Sequence, residues 1–162
     1  MDKYKFKATN LIAETFEKYG VTYRVIQNIG VEKLQVEFPV NSESNVVVKF
    51  ISHNNDNDIA VRISGLLLKT PEEKRYRVMQ ACNVLNQENR FLTFVRDING
   101  DINLKYDFLK RTPDIGVGEM AYEIFVRSKD ALNDGYSLLM KALYSDEEFD
   151  ILEYSMLYDL MD

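Results

Sequence analysis

The sequence predicts an α+β fold with a mainly antiparallel sheet and helices packed against it, on three observations. Three segments repeat apolar residues at helical spacing, while others alternate or are rich in β-branched residues as strands are. The strands come as one run before the second helix and a pair after it, not singly between helices. The element order reads α-β-β-β(-β)-α-β-β-α.

The first helix is predicted over 5–19, where Ala8, Leu11, Ile12, Thr15, Phe16 and Tyr19 form one stripe and Gly20 supplies a left-handed stop. A strand at Tyr23–Gln27 leads to a turn at Asn28-Ile29-Gly30. In the next strand Leu34, Val36 and Phe38 face one way and Lys33, Gln35 and Glu37 the other. Val46–Ile51 is β-branched, and the polar SHNNDND stretch separates it from Ile59–Ile63. That strand runs on into Leu66-Leu67-Leu68, which implies burial on both faces or a bend at Gly65.

Thr70-Pro71-Glu72-Glu73 reads as a helix start with Thr70 as N-cap. The helix carries Val78, Ala81, Cys82 and Leu85 on one stripe and ends near Asn89. Phe91–Ile98 and Asp101–Leu109 flank Asn99-Gly100, the signal of a type I′ hairpin turn. The last helix follows Pro113 and Gly116, with Asn133-Asp134-Gly135 as a point where it would kink or break.

At 162 residues with 46% hydrophobic and 28% charged residues, the chain is long enough for one domain with a real core. The charge of -6 is unevenly placed. All 20 Lys and Arg lie at or before Lys141, while seven of the 26 acids follow it, so residues 1–145 carry +1. Two parts result: a near-neutral body, 1–145, and an acidic amphipathic C-terminal segment, 146–162. In that segment Phe149, Leu152, Met156 and Leu160 recur at helical spacing among acids, as on a helix that docks on its own body, bridges a dimer or binds a partner. Its polar positions lack the Lys and Arg of membrane-surface helices, and no long apolar run marks a span, so no membrane role is expected. Nor is nucleic acid: the densest basic cluster, Lys74, Arg75 and Arg77, follows two glutamates as the solvated start of a helix. The first residues form no secretory signal, which points to the cytoplasm.

No motif carries covalent chemistry, a cofactor or a metal. His53 falls in a polar turn beside Ser52 without an orienting acid in the local sequence. Asn54, Asp56 and Asp58 begin like a calcium loop, but Ile59 and Gly65 stand where Gly and Glu are needed. Gly116-Val117-Gly118 lacks the third glycine and the preceding strand of a dinucleotide site. Cys82 is a lone thiol on an apolar stripe. Asn83 and Asn86 are more informative: two amides at i, i+3 in a helix suggest a clamp on a neighbouring loop or strand, or a binding contact.

The opening helix ending in Tyr19-Gly20, the strand meander, Lys74-Arg75 leading into Asn83-Val84-Leu85-Asn86, and the Phe91–Phe108 hairpin together resemble the YbjN-like group of the type III secretion chaperone-like fold. Asp134-Gly135-Tyr136-Ser137-Leu138-Leu139 is similar to that group's closing segment, with Ser137 where proline is common. The resemblance covers 5 to about 144. It implies a small cytoplasmic, non-enzymatic protein that binds a protein partner or client or regulates one, commonly as a homodimer. The expectation is a chaperone-like or regulatory binding module. The alternative is a small-molecule or ion sensor using a cleft near the second helix, Asn83, Asn86 and the 52–58 turn.

Overall fold

The computed structural model describes residues 2–40, 45–53, 56–110 and 114–145. In chain order it has α1 (Lys7–Lys18), β1 (Arg24–Asn28), β2 (Val31–Pro39), β3 (Asn45–His53), β4 (Asp58–Leu67), a 3-10 turn (Glu72–Lys74), α2 (Arg75–Glu88), β5 (Thr93–Arg96), β6 (Ile102–Leu109) and α3 (Val117–Tyr144). The six strands form one antiparallel sheet in the order β1-β2-β3-β4-β6-β5. The α+β class and the element order are those of the sequence reading.

One face of the sheet is apolar and buried: Leu34, Val36, Val48, Phe50, Val61, Ile63 and Leu104 are all 3% exposed or less. Against it lie α1, whose Phe16 meets Phe50 edge-on at 5.5 Å, and α3, whose Phe125 meets Phe38 at 5.8 Å. Helix α1 ends as expected, with Gly20 N–H donating to the Glu17 carbonyl and Val21 N–H to that of Phe16, so two end carbonyls are satisfied. At its start the core face holds a charge. Glu32 alternates with Leu34, yet its carboxylate is 1% exposed and accepts the backbone N–H groups of Lys5 (2.8 Å) and Phe6 (3.0 Å) and the Gln27 amide (2.8 Å).

Three local expectations are corrected. Thr70 caps no helix: its hydroxyl donates to the Gly100 carbonyl at 2.6 Å and accepts from Arg96 Nε at 3.0 Å, so it pins the β5–β6 turn to the chain ahead of α2. That turn is not type I′, because only Gly100 has positive φ (85°). Asp97 Oδ1 accepts the N–H groups of Asn99 (2.8 Å) and Asp101 (3.0 Å), which holds a type I turn closed by a glycine bulge. Helix α3 runs unbroken through Asn133-Asp134-Gly135. Gly135 is there for close packing: a Cβ would stand 2.8 Å from Phe94 Cζ and 3.2 Å from Leu85 Cδ1. Of the two alternatives for the Leu66-Leu67-Leu68 run, the bend is the one found. Gly65, at φ 95°, sits where the β4–β6 register shifts, and Leu68 is exposed beyond it.

Candidate functional site

Two surfaces stand out, and they meet at one strand. The first is a groove of about 630 Å³ between α2 and β5, lined by Arg75, Met79, Asn83 and Asn86 on one side and by Thr93, Val95 and Ile98 on the other. Both candidate asparagines border it, in different roles. The Asn86 amide clamps the edge strand, donating to the Phe94 carbonyl (3.0 Å) and accepting the Phe94 N–H (2.7 Å), so the outward backbone groups of Phe94 are satisfied. Asn83, one turn earlier, is exposed. Met79 is 45% and Ile98 98% exposed at the rim. Glu72 bridges Arg75 (3.0 Å) and Arg96 (2.9 Å), and hydrogen bonding to Arg75, then to Arg96, holds its carboxyl below the usual range.

No described residue of the 52–58 turn lines this groove. The turn is occupied elsewhere. Asp56 binds Lys110 at 3.0 Å, and Lys110 also reaches Asp114 at 3.2 Å, so a lysine supplies the cation for these carboxylates. Among the described residues no three His, Cys, Asp or Glu side chains converge as metal ligands would. Ser52 is buried and accepts from the Thr9 hydroxyl at 3.1 Å. His53 is the next residue of the same strand and points to the other face, so the two cannot act together. Burial pushes the Cys82 thiol up to about 11. Gly116 is the N-cap of α3, and Gly118 packs against Leu11 and Thr15 of α1. The candidates Phe149, Leu152, Met156 and Leu160 lie outside the described residues.

The second surface was not legible in the sequence. It is the face of the sheet opposite the core, where the strand registers set Arg24 opposite Gln35, Gln35 opposite Lys49, Lys49 opposite Arg62, Arg62 opposite Lys105 and Lys105 opposite Thr93. Four cations therefore share one cross-strand row, three of them on directly neighbouring strands, an unfavourable placement for like charges. Arg24 pairs with Glu37 at 2.7 Å and Arg62 with Asp107. Among the described residues no carboxylate lies in ion-pair distance of Lys33, Lys49 or Lys105. Apolar residues flank the row, with Val47 on one side and Ile26, Ile51 and Ala60 on the other. Thr93 belongs to both surfaces, so groove and row are continuous. The sequence hint was one cation at a polar position of each strand, but only the registers align them.

No described helix is long and apolar enough to cross a membrane. Compared with known proteins, the chain matches no family model and no curated protein.

Proposed function

We propose that this chain is a non-catalytic protein-binding module, chaperone-like or regulatory, that receives an apolar segment of a protein partner or client in the α2–β5 groove. The observation that carries the reading is the rim of that groove, where Met79 and Ile98 are exposed beside Arg75, Arg96 and the free-standing Asn83. Exposed apolar side chains within a polar ring are the pattern of a binding hot spot. The YbjN-like resemblance supports the same class of role, with cytoplasmic residence and a homodimer as its further implications. The test is binding of a permanently unfolded, carboxymethylated model protein, read by fluorescence anisotropy. Binding that falls about tenfold in Met79→Glu/Ile98→Glu supports the reading; binding equal in both, or none, removes it.

A second reading has its own observation. The groove's volume of about 630 Å³ is in the range of small-molecule sites. A sensor would bind through Asn83, since both amide atoms of Asn86 are committed to Phe94. A small molecule or ion that raises the melting temperature of the wild type and not of Asn83→Ala would favour it.

A further inference from the structure

We propose that the cation row on the open face of the sheet, with the groove that leads to it, is the docking site of the chain's own segment 146–162. Three directly opposed cations on β3, β4 and β6 repel one another, and Asp107 answers only Arg62. Such a row calls for an anionic occupant. The occupant whose chemistry fits is already attached. Segment 146–162 carries Asp146, Glu147, Glu148, Asp150, Glu153, Asp159 and Asp162 and no base, with Phe149, Leu152, Met156 and Leu160 between them. The face has the matching composition: Lys33, Lys49 and Lys105 without carboxylate partners among the described residues, set between Val47 and the Ile26, Ile51, Ala60 row.

The segment also begins at the right edge. Ser145 follows the last turn of α3, and its carbonyl accepts a hydrogen bond from Arg77 of α2 at 2.7 Å. Helix α2 flanks β5, the strand on which the row ends at Thr93. Seven residues of chain, such as 146–152, can span at most about 23 Å. Met79, Ile98 and Val95 lie along that path as apolar partners for a segment that carries Phe149 and Leu152, and Lys105, Arg62 and Lys49 lie beyond as partners for its acids. From Lys105 to Lys49 the row spans two strand spacings, about 10 Å. Docking is measurable on the protein alone and does not depend on the client reading.

The experiment is zero-length carbodiimide cross-linking of the full chain at low salt, with the monomer band analysed by mass spectrometry. The expected products join acids of 146–162 to Lys49, Lys105 or Lys33, and their yield falls several-fold in 1 M salt, where screening shortens to about 3 Å. Products that join the segment only to Lys74 or Lys141, or that occur only in a dimer-sized band, overturn the proposal, as does the lack of any product from the segment. Lysine acetylation rates on the unaltered chain give a second readout without a variant. Lys49 and Lys105 should react several-fold more slowly at low salt than at 1 M salt while Lys74 does not change, and equal rates at both salts overturn the proposal. A full-length Lys49→Gln/Lys105→Gln chain should lose the open-face products and gain none at Lys74; products from the segment that persist at an undiminished yield count against the row as the site.

Discussion

The same strands present two faces that follow opposite rules. On the covered face Val48, Phe50, Val61, Ile63 and Leu104 pack against α1 and α3, and Glu32, the one buried carboxylate among the described residues there, has its hydrogen bonds made. On the open face each of β3, β4 and β6 sets a cation opposite a cation, and nothing described covers them. A stable fold needs the first arrangement and gains nothing from the second. The difference separates residues that hold the molecule together from residues available for binding, and it predicts that substitutions on the two faces differ in kind.

The covered face should break first where helices approach most closely. Gly118 of α3 lies against α1, and a Cβ there would stand 2.6 Å from the Leu11 carbonyl and also collide with Thr15. Gly118→Ala should cost about 3 kcal/mol, the helix-propensity gain being outweighed by helix separation, and lower Tm by about 10 °C in a thermal melt. Next is Glu32→Gln, which keeps the shape and removes the charge from two backbone hydrogen bonds, at about 2 kcal/mol by urea denaturation. Burial raises the Glu32 carboxyl's pKa, but the N–H groups of Phe6 and Lys5 and the Gln27 amide outweigh it and leave the group below its usual value. A depressed carboxyl stabilises the fold fully above its unfolded value of about 4.3, and that stabilisation is lost as pH falls through the lower folded value. The wild type should therefore lose more stability than Glu32→Gln on acidification below about pH 4.3; parallel pH profiles would show that Glu32 is not held as its carboxylate.

How much of this was written in the sequence follows the range of the interactions. Alternation of Leu34, Val36 and Phe38, the apolar stripe of α1 and the turn-forming Asn99-Gly100 are local patterns, and they located the strands, the first helix and the last hairpin. Glu32 was missed because a charge at a core-facing position looks like an error of alternation until the start of α1 is brought to it. Local rules make Thr70 a cap, whereas its hydroxyl is taken by Gly100, thirty positions away. Propensity, which counts only the helix itself, makes Gly135 a break, and the packing of Phe94 and Leu85 decides otherwise. Of the candidate site, Asn83 and Asn86 were visible as unusual amides, but the division of labour between them depends on β5. The cation row needs four strand registers at once, including the non-sequential pairing of β4 with β6.

The edge clamp is intermediate between the two faces and gives the next smaller effect. Asn86→Ala leaves the Phe94 N–H and carbonyl without a protein partner at a partly buried edge, which should cost about 1–2 kcal/mol. Asn83→Ala, on the exposed side of the same helix, should stay within about 0.5 kcal/mol. Equal losses from the two would mean that Asn83 holds the fold as well, and the groove would lose its free amide.

The smallest effect sharpens the comparison most. Lys49→Gln/Lys105→Gln alters two strands of the same sheet whose inward neighbours, Val48 and Leu104, are core residues. If the open face took part in folding as the covered face does, the double substitution should cost several kcal/mol. Relief of like-charge opposition instead favours the variant by a few tenths per pair, partly offset by the lost Lys49 contact to the Ser64 hydroxyl at 3.2 Å. The expected change is under about 0.5 kcal/mol in denaturant titration, measured at 1 M salt so that long-range charge effects are screened. A much larger loss would make the row a structural element, and the argument that its repulsion is retained for binding would fall with it.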